Sequence, residues 1–197
     1  SRPVAATPPP VDRTILPPLV TDTSVEVLDR DGQLLRAFTV ADGRWRLPVT
    51  LGEVDPLFIR ILLACEDRRF HDHGGVDVLA LARAAQQWAT NGRIVSGAST
   101  LTMQVARLLE GQPTRGLAGK TRQMVSALAL ERRLDKVAIL ERYLLLAPYG
   151  GNLEGIRAAT LAWFGKEPGR LTPAQAALLV ALPQAPEARR PDRDPVA

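Results

Sequence analysis

Cysteine is nearly missing from this chain, and with it one way of stabilising a fold. The 197 residues include a single cysteine, Cys65, which excludes an intramolecular disulfide framework. No run of about 18 apolar residues occurs, so the sequence predicts no membrane-spanning helix within itself. Aromatic residues make up only 5%, and the core is therefore expected to consist mostly of leucine, alanine and valine. With only two histidines, His71 and His73, the chain has few nitrogen ligands for a transition metal.

Lysine is also scarce, because arginine supplies most of the positive charge. Of the 25 basic residues, only Lys120, Lys136 and Lys166 are lysines. The formal charge is +4 and the isoelectric point about 9.8, which favours an anionic partner: a nucleic acid, an anionic membrane surface or a phosphorylated substrate. Arginine favours bidentate contacts with phosphate or carboxylate. No stripe of aromatic residues alternates with basic ones, so we expect no nucleic-acid partner.

Composition divides the chain into four predicted segments. Residues 1–20 contain six prolines and form a stiff, proline-rich linker, expected to lead out of a part of the protein outside this sequence. Residues 21–50 alternate around Asp31-Gly32 and predict a β-hairpin segment. Residues 51–190 are predicted as one mainly helical domain, and residues 191–197 as the start of a polar linker. We therefore predict a mainly α fold with a small N-terminal β-hairpin.

Helix starts are predicted where a side chain can cap the first turn. The five candidate caps are Asp77, Ser99, Asp135, Asn152 and Thr172. Thr172 is the most specific of them, because Thr-Pro-Ala-Gln is a capping box with proline at the first helical position.

The stretch CEDRRFHDHGG, residues 65–75, gathers ionisable groups directly after the apolar run LFIRILLA. Glu66 is predicted at the C-terminal end of a helix, where the helix dipole and apolar packing both disfavour a charged carboxylate. Such a carboxylate suits a general base near neutral pH. The alternative is structural, with Glu66 pairing with Arg69 or another basic neighbour. We expect no dedicated metal site at His71 and His73; His73 is instead expected to hold the loop or to orient Glu66.

A second concentration of polar groups is SGASTLTMQVARLLEGQPTR, residues 96–115. Hydroxyl groups and backbone N–H groups at a helix start can bind an anion. Gln104, Arg107 and Arg115 follow, and Lys120 and Arg122 stand at the head of the next predicted helix. Converging cations would suit a pyrophosphate, each charge-assisted hydrogen bond contributing roughly 1.5–3 kcal/mol. Taken singly, the same charges are also typical of a solvated helix face.

Taken together, these segments resemble the peptidoglycan glycosyltransferases of glycosyltransferase family 51, the polymerase module of bifunctional penicillin-binding proteins. The matching motifs are EDRRFHDHGGVD (66–77), GASTLTMQVAR (97–107), KTRQMVSALALERRL (120–134), KVAILERYLLLAPYGGNLEGIRAATLAWFGK (136–166) and AQAALLVALPQAP (174–186). The hairpin VLDRDGQLLRAF, with APYGG, LPQAP and RRPDR, is most like the 1C type. The resemblance implies a lysozyme-like, mainly α fold with a head lobe and a smaller jaw lobe.

By this resemblance the protein polymerises lipid II into glycan strands. Glu66 would be the general base that takes the proton from the acceptor's GlcNAc 4-hydroxyl. That oxygen would attack the anomeric carbon of the donor's MurNAc with inversion, and undecaprenyl pyrophosphate would leave. The positions that match the family's substrate-binding residues are Asp67, Arg68, Arg69, His73, Ser99, Gln104, Arg107, Arg115 and Lys120. Within this set, Arg107, Arg115 and Lys120 match the family's pyrophosphate-binding positions.

Two positions depart from the family's pattern. Where the pattern Arg-Lys-x-x-Glu places a second catalytic glutamate, this chain has Gln123, which cannot act as an acid. Leu145 stands where the family has asparagine. A divalent cation bridging the pyrophosphate would lose a ligand at Gln123, so the sequence leaves the participation of Mg²⁺ or Mn²⁺ open. No covalent cofactor and no protein-held metal are predicted.

The resemblance also implies partners and a location. No Ser-x-x-Lys tetrad occurs, so the transpeptidase module is expected elsewhere in the full-length chain. The protein is expected at the outer, periplasmic face of the bacterial cytoplasmic membrane, anchored by a transmembrane helix outside this sequence. The resemblance does not identify the surface that contacts the membrane; from the residues alone we expect Trp88, Ile94 and Val95, around the Asn91-Gly92 turn, to contact it. Its partners would be lipid II and the nascent glycan strand. The alternatives are a catalytically weak lipid II-binding module, favoured by Gln123, and a lysozyme-like glycan hydrolase, which needs no cationic cluster.

Overall fold

The computed structural model of the chain describes residues 14–91, 99–111 and 116–192. Internal contacts divide the chain into two units. The split unit consists of residues 20–68 and 140–197, and the inserted unit consists of residues 69–139 together with residues 1–19.

Helices dominate the described residues, as the sequence predicts. Within the described ranges the α-helices number seven: α1 (Pro56–Glu66), α2 (Val78–Asn91), α3 (Leu101–Glu110), α4 (Gly116–Glu131), α5 (Lys136–Leu146), α6 (Ile156–Phe164) and α7 (Pro173–Ala181). The split unit contains α1, α6 and α7, the inserted unit contains α2, α3 and α4, and α5 runs from the inserted into the split unit. No helix in the described ranges has the length and apolarity to cross a membrane.

The split unit begins with the predicted β-hairpin. Strands β1 (Val25–Leu28) and β2 (Leu34–Phe38) pair antiparallel, with a β-bulge in their register. The Asp29 carboxylate stabilises the turn by accepting a hydrogen bond from the backbone N–H of Asp31 at 2.9 Å. Gly32 has φ of +77°, a conformation that glycine adopts without steric cost. The turn predicted at Asp31-Gly32 is therefore confirmed.

A second pair of strands joins the two sequence segments of the split unit. Strand β3 (Trp45–Arg46) pairs parallel with β4 (Leu153–Glu154). The Glu154 carboxylate accepts hydrogen bonds from Arg44 and from Nε of Arg46, the latter at 2.7 Å. Glu154 is only 7% exposed, and the two arginines compensate its buried carboxylate.

Helix α1 packs against α7, and one carboxylate fixes both to each other. The two oxygens of Asp55 accept hydrogen bonds from the backbone N–H groups of Leu171, at 2.6 Å, and of Leu57, at 2.8 Å. These bonds, that of Leu171 first, lower the pKa of Asp55. The large side chains that are fully buried in the split unit include Phe58, Leu62, Tyr143, Leu144, Tyr149, Ile156, Leu179 and Leu182. Burial of each aliphatic member contributes about 1.5–3 kcal/mol.

In the inserted unit, α3 packs antiparallel against α4. Oγ1 of Thr102, near the start of α3, donates to Oε1 of Glu131 at the end of α4, at 2.7 Å. Glu110, at the other end of α3, accepts a hydrogen bond from Oγ of Ser126 at 2.7 Å. The fully buried large side chains of this unit are Phe70, Leu101, Met103, Leu130 and Ile139.

Three of the five predicted helix caps are confirmed. Asp77 accepts the Ala80 N–H at 3.0 Å, and Asp135 accepts the Ala138 N–H at 2.8 Å. Thr172 forms the predicted capping box at the start of α7. Each cap satisfies a backbone donor that has no partner within its helix.

Two predicted caps are wrong. The cap of α3 is Thr100, not Ser99, because Oγ1 of Thr100 accepts the Met103 N–H at 3.1 Å. Residue Gly155, not Asn152, precedes α6, and the amide of Asn152 instead donates to the carbonyl of Gly43 at 3.0 Å. Asn152 thus bonds a residue that is distant in the sequence instead of capping α6.

Candidate active site

Glu66 is the last residue of α1, where the sequence predicts it. Phe58 and Leu62 form the buried face of this helix, and Glu66 is half-buried at its C-terminal end. Oε1 of Glu66 accepts a hydrogen bond from Nε2 of Gln184 at 2.7 Å. The carboxylate is therefore held by a neutral amide in this contact.

Gln184 ends the short 3₁₀ turn Leu182–Gln184 that follows α7. Its amide oxygen accepts a hydrogen bond from Nη1 of Arg189 at 2.8 Å. The sequence reasoning missed both residues, although Gln184 lies in the quoted LPQAP segment. Glu66 and Gln184 are 118 positions apart, and no local pattern predicts a side-chain contact over that separation.

The first motif continues from the split unit into the inserted unit. In the split unit, Asp67 is 6% exposed and Arg68 is exposed. In the inserted unit, Nη1 of Arg69 pairs with Oδ1 of Asp77 at 3.2 Å. Because Asp77 also caps α2, this pair ties the start of the loop 69–77 to its end.

Asp77 and His73 hold this loop from within. Burial raises the pKa of Asp77, but the hydrogen bond from Ala80 and the charge of Arg69 outweigh it, so that the pKa is lowered overall. Nδ1 of His73 accepts the Gly75 N–H at 3.2 Å. This contact fits the loop-holding role predicted for His73.

Lys136 connects the loop to the helices of the inserted unit, and the sequence reasoning missed it. Its Nζ donates to the carbonyl of His73 at 2.6 Å and to Oε1 of Glu131 at 2.7 Å. The ammonium group also lies 4.5 Å from the centre of the Phe70 ring, a favourable cation–π contact. Since Glu131 also accepts the Thr102 hydroxyl, one network joins the loop to α3, α4 and α5.

Gly75 brings the loop into direct contact with two helices. Its carbonyl accepts a hydrogen bond from Oγ1 of Thr100 at 2.6 Å. Its φ is +98°, and a Cβ at this position would lie 2.7 Å from the carbonyl oxygen of Ala127 in α4. Only glycine allows this approach, so the first and second motifs meet here because of Gly75 and Thr100.

Arg107 and Lys120 are neighbouring cations in the inserted unit. Burial lowers the pKa of Lys120, and the charge of Arg107 lowers it further. Neither side chain forms an ion pair with an acid of the described ranges. Two like charges that lie close together without a counterion are unfavourable, and an anionic group would relieve their repulsion.

The remaining predicted substrate-binding residues fall in two groups. Ser99 and Gln104 are half-buried, Ser99 directly before the capping residue of α3 and Gln104 within that helix. Arg115 lies outside the described residues. The predicted membrane contacts also lie outside the described part, namely Ile94, Val95 and the side chain of Trp88.

Gln123 is buried on α4, with 5% of its surface exposed, at the position that the resemblance assigns to a second acid. The residues on either side of this stretch of α4 contact Glu110, which pairs with Nε of Arg122 at 3.2 Å and accepts the Ser126 hydroxyl. Across the described ranges, no three His, Cys, Asp or Glu side chains come together as metal ligands.

Comparison with known proteins agrees with the motifs. Residues 31–197 match the family model described as transglycosylase. Penicillin-binding protein 1C of Escherichia coli K12 is 51% identical over 169 residues, which are 86% of this chain and 22% of that protein. Penicillin-binding protein 1A of E. coli is 35% identical over 85% of this chain and 19% of its own length. Penicillin-binding protein 1A of Aquifex aeolicus is 37% identical over 84% of this chain and 22% of its own length.

This chain spans about one fifth of the length of these curated relatives. Within that fifth, the family model covers everything from the hairpin turn to the last residue. The chain therefore belongs to the transglycosylase family.

Proposed function

We propose that this protein is a peptidoglycan glycosyltransferase that polymerises lipid II into glycan strands. Membership of the transglycosylase family supports this activity, and the relatives are penicillin-binding proteins by name. The observation that carries the proposal is the cation pair Arg107 and Lys120, which has no acidic partner in the described ranges. A departing pyrophosphate needs its charge neutralised, whereas a glycan hydrolase has no such leaving group.

Glu66 accepts the proton of the acceptor's GlcNAc 4-hydroxyl in the proposed reaction. As the O–H bond breaks, its electron pair attacks the anomeric carbon of the donor's MurNAc, and the new glycosidic bond forms. The bond from that carbon to the pyrophosphate oxygen breaks, and its electrons leave with undecaprenyl pyrophosphate. Arg107 and Lys120 stabilise the departing negative charge, and Arg115 has the same role by its position in the motif. Attack opposite the leaving group inverts the anomeric configuration.

The other predicted residues support this chemistry. Ser99 and Gln104 are proposed to line the site between the two sugars, and Asp67 and Arg68 to contact substrate. Arg69 and His73 are proposed to act through the loop, because Arg69 pairs with Asp77 and Nδ1 of His73 accepts the Gly75 N–H. Gln123 donates and accepts hydrogen bonds where related enzymes have an acid.

The proposed substrate also determines location and partners. Lipid II is membrane-anchored through its undecaprenyl chain, so the reaction takes place at a membrane surface. We place it at the outer face of the cytoplasmic membrane, with a transmembrane anchor and a transpeptidase module elsewhere in the full-length protein. Mg²⁺ or Mn²⁺ would act, where present, as a counterion of the pyrophosphate.

The test is lipid II polymerisation followed on a gel, with wild type, Glu66→Gln and a matched control. Glu187→Gln is that control, because Glu187 is a carboxylate of the same unit that accepts a backbone hydrogen bond from Gly151 at 2.6 Å and pairs with Arg190 at 3.5 Å. General base catalysis contributes about 10²–10⁴-fold, so Glu66→Gln should abolish visible strands. Its thermal midpoint should stay within a few degrees of wild type, because glutamine still accepts the Gln184 hydrogen bond.

The alternative functions predict different results in this assay. Full activity of Glu66→Gln would refute the assignment of the base. Cleavage of finished glycan by wild type would identify a hydrolase, and lipid II binding without strands would identify a binding module. Parallel lanes with Mg²⁺, Mn²⁺ or EDTA measure the contribution of a divalent cation.

A further inference from the structure

In the contact between Gln184 and Glu66, hydrogen-bond chemistry determines which atom of the Gln184 amide faces the carboxylate. A glutamine side chain has one oxygen that accepts and one nitrogen that donates. The guanidinium of Arg189 only donates, so the oxygen of Gln184 must face it, at 2.8 Å. The nitrogen then faces the Glu66 carboxylate at 2.7 Å. With the amide reversed, both contacts would be repulsive, so Arg189 determines which atom of Gln184 meets Glu66.

Arg189 is itself held by the backbone around it. Nη1 of Arg189 also donates to the carbonyl of Ala181, the last residue of α7, at 2.7 Å. Its backbone N–H donates to the carbonyl of Ala185 at 3.0 Å. Helix α7 packs against α1, the helix that ends at Glu66. Arg189 is thus anchored on the last residue of α7, and the relay ends at Glu66, the last residue of the helix against which α7 packs.

The interposed amide separates orientation from charge. An arginine in direct contact with a carboxylate strongly favours its ionised form, which makes it a weaker base. When a neutral amide lies between the arginine and the carboxylate, the arginine orients the amide and the amide orients the carboxylate. The charge of the arginine then acts on the carboxylate from a greater distance and therefore more weakly.

We propose that Gln184 and Arg189 are positioning residues for glycosyl transfer: Arg189 orients the amide of Gln184, and the amide holds Glu66 where it receives the acceptor's proton. This inference rests on the proposed function, in which Glu66 is the base. It adds two residues from the far end of the chain to the machinery of the reaction.

The kinetic test compares kcat and KM for Gln184→Ala, Arg189→Ala and Arg189→Lys. Misplacement of a catalytic group costs about 10- to 100-fold, so both alanine variants should lose about that much in kcat, with KM within twofold of wild type. Arg189→Lys retains a donor and should recover most of kcat. The double variant Gln184→Ala/Arg189→Ala should be no slower than Gln184→Ala, because the two residues act in series. Arg170→Ala, an exposed arginine of the same unit, is the control and should behave as wild type.

Unchanged kcat in Gln184→Ala would overturn the inference, and so would a raised KM with unchanged kcat, which indicates substrate contact instead. A measurement that needs no turnover separates this failure from failure of the proposed function. In a ¹⁵N–¹H NMR spectrum, the side-chain amide signals of Gln184 should shift in Glu66→Gln and in Arg189→Ala. Signals that stay in place would refute the relay, whatever reaction the protein catalyses.

Discussion

Replacing Gly75 by alanine should destabilise the inserted unit strongly, whereas replacing its neighbour Gly74 should not. At Gly75, φ is +98° and a Cβ would lie 2.7 Å from the carbonyl oxygen of Ala127 and 3.1 Å from Cγ of Glu131. At Gly74, no atom lies within 4 Å of the corresponding position, and φ is outside the left-handed range. The two substitutions are chemically identical and adjacent, so any difference reports the packing of this loop against α4.

The expected cost has two parts. Alanine in a sparsely populated region of backbone space costs about 1–3 kcal/mol. Forcing a methyl group against a backbone carbonyl costs a further 1–3 kcal/mol or so, because a helix carbonyl cannot rotate away. The sum, about 2–6 kcal/mol, corresponds to a loss of roughly 4–24 °C in the thermal midpoint for a domain of this size. Gly74→Ala should stay within about 1 kcal/mol of wild type, with a small gain from a stiffer unfolded chain.

Thermal unfolding followed by circular dichroism measures both variants, and the lipid II gel measures their activity. We expect Gly75→Ala to lose activity together with stability, because the same loop carries Arg69 and His73. A midpoint of Gly75→Ala equal to wild type would refute the close approach of Gly75 to Ala127. Equal losses in both variants would show that loop stiffness, not this contact, is responsible.

Three further predictions concern single side chains. Burial and the charge of Arg107 lower the pKa of Lys120, so Lys120 should lose its positive charge at a lower pH than an ordinary lysine. The affinity for pyrophosphate, titrated at a series of pH values, should therefore persist to higher pH in Lys120→Arg than in wild type. Coincident pH profiles of the two proteins would contradict this. The buried hydroxyl of Tyr149 has no hydrogen-bond partner in the described ranges, and burial raises its pKa well above 10.0. Calorimetry should therefore find that Tyr149→Phe unfolds at no lower a temperature than wild type. A decrease of more than about 1 kcal/mol in its free energy of unfolding would reveal a hydrogen-bond partner. The pKa of Asp77 is lowered from 3.8, so the stabilisation that the Asp77 carboxylate gives the fold is complete above pH 3.8 and is lost as the pH falls through the lowered pKa. The difference in thermal midpoint between wild type and Asp77→Asn should therefore narrow below pH 3.8. A difference that stays constant with pH would contradict this.

Elements specified by neighbouring residues could be predicted from the sequence. The hairpin turn needs only a glycine at positive φ and the carboxylate of Asp29 nearby, and both lie within a few residues of each other. The capping box of Thr172 is likewise complete within four positions. The motif that contains Glu66 was recognisable because its order of residue types is unusual.

Contacts between distant residues could not be predicted. The carboxylate of Glu154 meets Arg46 across 108 positions, and Gln184 meets Glu66 across 118. Asn152 shows the same limit in reverse: its local sequence predicts a helix cap, but the carbonyl of Gly43 binds its amide instead. A single sequence has no periodicity at such separations, because these contacts depend on how whole elements pack.

The division of the chain into an inserted and a split unit also has a consequence for biosynthesis. Residues 20–68 leave the ribosome before their partners in the split unit, which start only at residue 140. At about 5–20 residues per second, translation of the intervening segment takes roughly 4–14 s, during which the strand at Trp45 and the apolar face of α1 lack their partners. During that time, residues 69–139 can assemble their own core. The strand at Trp45 and the helix that ends at Glu66 are thus accessible to proteases and chaperones during this interval, because they are made before their partners.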